Sequence, residues 1–164
     1  MSKRKAYTVA LGGVLLALAL VLSYLEHLLP LSAAIPGVKL GLANVAALLY
    51  LRKYGLAPAL LLQGLRVVIA NLLFGSLAAM VYGLTGGLLA VLAMWAMLRI
   101  PRMGPVGASA VGGVVHNLGQ ISAAACMMGT AAVFSYLPLL ILSGTACGVL
   151  TGFAVLGLEK ALPN

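Results

Sequence analysis

The 164-residue sequence contains no aspartate, only two acidic residues (Glu26 and Glu159) and a single tryptophan. Charged residues make up 7% of it, against about 25% in soluble domains. With 63% hydrophobic residues and a mean hydropathy of +1.17, it cannot be a soluble globular domain, which excludes most soluble enzymology. Ten bases face the two acids, for a formal net charge of +8. A basic excess can serve nucleic acid, but there it decorates a polar surface, and this chain has almost none. Two cysteines, Cys126 and Cys147, lie inside apolar stretches, where they pack as small hydrophobes rather than form a disulfide.

What is abundant is apolar length. A membrane-spanning helix needs about 20 apolar residues, so the chain has room for about six with short loops and no extramembrane domain. Gly, Pro and charge clusters divide the runs into expected helices at 7–26, 38–51, 55–74, 77–98, 106–128 and 134–158. The second is short for a full crossing, so it either starts within a re-entrant loop or tilts little. The first follows Lys3, Arg4 and Lys5 and precedes Ser32-Ala33-Ala34, in the manner of a signal peptide. Its apolar core is too long for one and five more apolar runs follow, so it reads as a helix. The expectation is an all-α integral membrane protein, a six-helix bundle forming one domain over residues 1–164.

The bases give an orientation. With the N-terminus in the cytoplasm, Lys3, Arg4, Lys5, Arg52, Lys53, Arg99, Arg102 and Lys160 all fall inside. The outer connections near 27–37, 75–76 and 129–133 hold no Lys or Arg. This is the positive-inside pattern, with both termini cytoplasmic. The remaining bases are Lys39, at the outer start of the second helix, and Arg66, near the middle of the third. A central arginine costs about 2.5–3.5 kcal/mol on insertion scales, so it faces the bundle interior and has a partner.

The 1.5 Å helical rise assigns the other polar groups a depth. Glu26 and His27 end the first helix at the outer face; Asn44, Asn71, His116, Asn117 and Gln120 lie between there and the midplane. The inner halves hold little beyond Gln63, Ser109, Thr151, Tyr50 and Trp95. His116 and Gln120 share a face at i,i+4, and Gly112, Gly113 and Gly119 around them leave room for a ligand or a neighbouring backbone. These groups are either interhelical hydrogen-bond glue or a substrate-binding set comprising Glu26, Lys39, Asn44, Arg66, Asn71, His116, Asn117 and Gln120. Two cations with one nearby acid favour an anionic ligand, unless Lys39 snorkels outward and Glu26 pairs with Arg66. No acid or cysteine is spaced to make His116 a metal ligand, and no cofactor is implied. The Pro- and Gly-containing segment 29–38 is either a lid over the cavity mouth or an ordinary loop. Gly144, Gly148 and Gly152 form a GxxxGxxxG, and Gly13 with Ala17 a small-xxx-small pair, both patterns of close helix packing.

Several strings carry a resemblance. Pro36-Gly37-Val38-Lys39-Leu40-Gly41-Leu42-Ala43-Asn44 resembles the "PGxKLGLAN" segment of a bacterial membrane family, the Gx transporters. So do Gly107-Ala108-Ser109 running on to His116-Asn117-Leu118-Gly119-Gln120 ("HNxGQ"), and Gly129-Thr130 before Tyr136-Leu137-Pro138. Many members carry the label heptaprenyl diphosphate synthase component I, and the resemblance spans essentially the whole chain. Its members look like substrate-binding S components of energy-coupling factor (ECF) transporters, with six helices, both termini inside and substrate held near the outer face. By that resemblance Lys39, Asn44, Arg66, His116, Asn117 and Gln120 match the family's polar positions. The Gly13/Ala17 face would be similar to the surface that meets the transmembrane coupling protein, with ATPases as further partners in the bacterial cytoplasmic membrane. A prenyl-synthase activity itself would need clustered aspartates to hold magnesium diphosphate, and the chain has none.

Two functions are therefore expected to compete. One is a substrate-capture subunit for a small, anionic metabolite or vitamin-like compound; polar groups that reach the midplane from one side only suit it better than a channel or self-sufficient carrier. No Walker A sequence occurs, so ATP hydrolysis would come from partners. The other is a non-catalytic membrane accessory subunit of isoprenoid, quinone or electron-transfer metabolism. An enzyme is the weakest reading, because no nucleophile–base–orienter set can be assembled.

Overall fold

The computed structural model describes residues 3–28 and 41–161. Among them are six α-helices: α1 (Lys3–Leu28), α2 (Asn44–Tyr54), α3 (Leu56–Phe74), α4 (Leu77–Met97), α5 (Pro105–Met128) and α6 (Leu137–Ala161). A 3-10 helix, Ala131–Tyr136, precedes α6. Among the described residues four stretches are long and apolar enough to cross a membrane: Tyr7–Leu28, Leu56–Phe74, Leu77–Met97 and Ala131–Ala161.

Local chemistry explains most boundaries. Ser76 caps α4, its hydroxyl accepting from the Ala79 amide at 3.1 Å, which satisfies one of the free donors of the first turn. Pro105 opens α5, where its missing N–H costs nothing, and Gly129 closes it in the left-handed conformation at φ 64°. A single residue, Gly55, separates α2 from α3 at φ 86° and ψ −172°, a backbone state that side chains rarely allow.

The second helix departs from the expected 38–51, beginning at Asn44 and ending at Tyr54. Gly41 at φ 73° and a turn through Leu42 and Ala43 precede it. At 11 residues it is about 16 Å long, roughly half the hydrocarbon thickness. Apolar periodicity alone cannot separate a helical start from an apolar turn, and Leu40-Gly41-Leu42-Ala43 reads as either. The same ambiguity hid the 3-10 helix, which straddles the expected connection at 129–133 and the start of the helix expected from 134.

Helix α2 is buried on every side, Val45 through Leu51 all lying in the core with Leu15, Ala19, Ala59, Leu62, Val91 and Val155. Around it, α5 packs most extensively against α6 and α4, while α1 lies against α3 and α2. Glycines let the central helices touch. A Cβ on Gly144 would stand 2.7 Å from the Gly113 oxygen, one on Gly152 2.5 Å from the Val106 Cα, and one on Gly119 2.9 Å from the Gly86 Cα. The GxxxGxxxG face of α6 is thus consumed by α5. A Cβ on Gly13, by contrast, would meet nothing within 4 Å among the described residues, and Ala17 beside it is exposed.

At one end of the bundle Arg52 on α2 pairs with Glu159 on α6, and Tyr50 donates to the Thr8 carbonyl of α1. At the other, Phe74 of α3 contacts the rings of Tyr24 and His27 on α1 at 5.5 and 5.6 Å. The outer faces carry Val9, Val14, Val21, Leu61, Leu72, Leu142, Leu150 and Phe153 in the open. So large an exposed apolar surface needs lipid as its solvent. The chain is a multi-pass helical membrane protein.

Candidate functional site

Among the described residues the helices border a polar cavity of about 50 Å³. That is space for about three to five waters at the roughly 10–15 Å³ that one ordered water occupies. Its wall is drawn from all six helices: Glu26 from α1, Asn44 from α2, Arg66, Val67 and Asn71 from α3, Gly83 and Met94 from α4, and His116 and Asn117 with Ser109, Gly112 and Gly113 from α5. Gly144, Cys147, Gly148 and Thr151 complete it from α6, with Gly41 and Ala43 from the turn before α2.

Six of the eight residues expected at a binding site therefore share one cavity. Gln120 is buried but turned toward α4, where its side chain lies against Gly86 and outside the cavity wall. Lys39, and the expected lid over residues 29–38, fall outside the described residues.

Glu26 is the acid of the cavity, and its Oε1 accepts from the Leu42 amide at 2.7 Å. Ala43, the residue before α2, offers no side-chain cap. A carboxylate from α1 thus serves the start of α2, where aligned peptide dipoles favour negative charge. Glu26 lines the pocket, one of the two alternatives that the sequence left open for it.

Arg66 reaches across to α1, its Nη1 donating to the Ser23 hydroxyl at 3.1 Å. Its Nε is buried and has no hydrogen-bond partner among the described residues. The guanidinium keeps donor capacity that a carboxylate or phosphate oxygen would satisfy. Asn71 and Asn117 also face the cavity, but each amide already donates to a backbone carbonyl: Asn71 to Val67 at 2.8 Å and Asn117 to Leu140 at 2.6 Å. They combine glue with lining. His116, 8% exposed, stands between Gly112 and Asn117 on the α5 face that meets the cavity.

Ser109, Cys147 and Thr151 were not expected in the wall. Thr151 donates to the Gly41 carbonyl at 3.4 Å, so the turn before α2 sits beside the C-terminal half of α6. In the sequence Ser109 and Thr151 stand apart from the binding set, whereas the turn at Gly41 before α2 shares the cavity wall with both. A hydroxyl or thiol amid apolar residues looks like packing in a sequence, so no pattern announced them.

Comparison with curated proteins and with solved structures gives no match. One family model does match, described as heptaprenyl diphosphate synthase component I. It covers residues 15–158, from the second half of α1 through nearly all of α6, and takes in every cavity-lining residue. The chain belongs to the heptaprenyl diphosphate synthase component I family.

Proposed function

We propose that the chain is a substrate-binding subunit in a bacterial cytoplasmic membrane, similar to the S component of an ECF transporter. It captures a small anionic metabolite or vitamin-like compound in an outward-facing cavity. The observation that carries this reading is the cavity itself: a chain with 7% charged residues gathers Glu26, Arg66, His116 and three asparagines around one space. The buried Arg66 Nε there still lacks an acceptor among the described residues. Intramembrane ionisable groups are functional by default.

In this reading six helices lie in the bilayer with both termini cytoplasmic, held so by the one-sided bases. Helix α5 tolerates its polar residues because they turn inward, and α2 is a shorter, fully enclosed element. Arg66 binds the anion, with Lys39 as a second cation and Glu26, Asn44, Asn71, His116, Asn117 and Gln120 completing recognition. ATP hydrolysis belongs to partner subunits, reached through a transmembrane coupling protein that docks on the open Gly13/Ala17 face of α1.

The family description supports a second reading, a non-catalytic accessory subunit of isoprenoid or quinone metabolism. Without aspartates the chain could assist a synthase but not hold magnesium diphosphate itself.

Native mass spectrometry of gently purified protein separates the two. Capture predicts a co-purified small anion in the wild type that disappears in Arg66→Met and His116→Leu while both variants remain folded. Loss of fold in both variants, with no small molecule ever retained, supports the accessory role. Concentrative uptake into proteoliposomes by this chain alone would overturn the coupled reading.

A further inference from the structure

Several hydroxyl side chains of the bundle are spent on their own helices. Thr85, Ser143 and Thr145 donate to carbonyls three or four residues back, at 2.8, 3.2 and 2.8 Å. That is a common way for a helix to absorb such a group. Ser109 does otherwise. It is 3% exposed and lines the cavity from α5, and its hydroxyl makes no hydrogen bond among the described residues.

A second neutral group is free in the same wall. Asn71 and Asn117 give their amides to the Val67 and Leu140 carbonyls, whereas the Asn44 carboxamide makes no hydrogen bond among the described residues. Neither Ser109 nor Asn44 is sealed within packed side chains as the unpartnered amide of Gln63 is; both border the cavity.

Glycines bring the two to adjoining parts of that space. At Gly41 a Cβ would lie 3.5 Å from the Asn44 Nδ2 and 3.8 Å from the Thr151 Oγ1, so Asn44 and Thr151 share a corner. One turn back along α6, at i−3, Gly148 lies against Ser109, where an added Cβ would fall on the Ser109 carbonyl oxygen. A hydroxyl and a carboxamide each offer a donor and an acceptor. A guest that displaces water from them without replacing both kinds of bond leaves them unmatched, which is costly in a buried site.

We propose that Ser109 and Asn44 are specificity residues that read a neutral donor–acceptor group, such as a carboxamide, on the captured anion. Arg66 takes the anionic group, for which its Nε is free among the described residues. Resting on anion capture at Arg66, this makes the solute bifunctional, anionic at one point and amide-like at another.

Two pairs of carboxylates test it, each matched in shape and differing only at the far end: malonamate with 3-methylbutanoate, and succinamate with 4-methylpentanoate. In each pair an isopropyl group replaces the carboxamide. Titration calorimetry in detergent micelles should show the wild type binding at least one carboxamide about tenfold or more tightly than its branched counterpart. Ser109→Ala and Asn44→Leu should each reduce that preference about fivefold and leave the affinity for the branched acid unchanged. Arg66→Met should bind neither member. Ser109→Ala and Asn44→Leu remove no side-chain hydrogen bond seen among the described residues, so both should unfold as the wild type does, and either one suffices.

If the wild type binds the members of both pairs equally, or if its preference survives both substitutions, the roles of Ser109 and Asn44 are overturned and anion capture stands. If the wild type binds none of the four carboxylates, anion capture at Arg66 is overturned and these roles fall with it.

Discussion

The glycine seam between α5 and α6 makes a prediction whose sign changes along one helix. In Gly144→Ala the new methyl would lie 2.7 Å from the Gly113 oxygen and 2.8 Å from the Asn117 amide nitrogen. Neither can retreat easily: one is backbone of a packed helix, and the other is held by its bond to the Leu140 carbonyl. Overpacking of this kind costs about 1–3 kcal/mol. The gain from replacing glycine by alanine in a helix offsets about 1 kcal/mol of it, leaving a net loss of up to about 2 kcal/mol. Gly157→Ala, on the same helix, adds a methyl that meets nothing within 4 Å. It should stabilise by about 0.5–1 kcal/mol through backbone entropy alone. The backbone gain is common to both, so the two variants should differ by the overpacking cost of about 1–3 kcal/mol, roughly a fivefold or greater ratio of unfolding constants. Equilibrium unfolding in mixed detergent micelles measures both. If Gly144→Ala is as stable as Gly157→Ala, the α5–α6 contact is not the backbone-to-backbone seam described, and the cavity wall it forms loses its basis.

Arg66→Met should unfold later than the wild type, because the central cation's insertion cost of about 2.5–3.5 kcal/mol is relieved, yet retain no anion in native mass spectrometry. Stability and binding moving together would refute the role given to Arg66. Glu26→Ala should speed hydrogen exchange at the Leu42 amide roughly tenfold or more, since a charge-assisted bond of about 1.5–3 kcal/mol is lost; Glu26→Gln, which keeps an acceptor, should change it much less. An unchanged Leu42 amide in Glu26→Ala would remove the cap. The Arg52–Glu159 pair is partly exposed, its side chains 30% and 23% accessible. A double-mutant cycle should give a coupling below about 1 kcal/mol that shrinks with salt. Coupling well above that would mean the pair is far drier than its exposure indicates.

How much of this was legible in the sequence depended on the kind of signal. The helix ends at Ser76, Pro105 and Gly129 were readable because each residue type has a local physical reason to stop or start a helix. The start of α2 was not, because Gly41-Leu42-Ala43 is as apolar as the helix it precedes. Polar residues large enough to stand out in a membrane sequence pointed to the cavity, and Glu26, Asn44, Arg66, Asn71, His116 and Asn117 line it. Ser109, Cys147 and Thr151 were silent, since small polar groups are ordinary in helix packing. Gln120 shared a helical face with His116, yet an arc on one helix does not say which neighbour fills it, and Gly86 lies opposite Gln120. The glycine patterns announced close contact without naming the partner: Gly144 and Gly148 close on α5, while a Cβ on Gly13 would meet nothing within 4 Å among the described residues.

Six of the residues bordering the cavity are glycines: Gly41, Gly83, Gly112, Gly113, Gly144 and Gly148. Much of its boundary is therefore main chain, which every sequence shares and no substitution can recolour. Where a glycine abuts another helix, a mutation can only add atoms. Evolution of this pocket toward a new solute is thus asymmetric: narrowing it takes one base change, whereas widening it requires helices to move apart. Divergence in what it accepts would arise mainly by subtraction from a space already near its maximum.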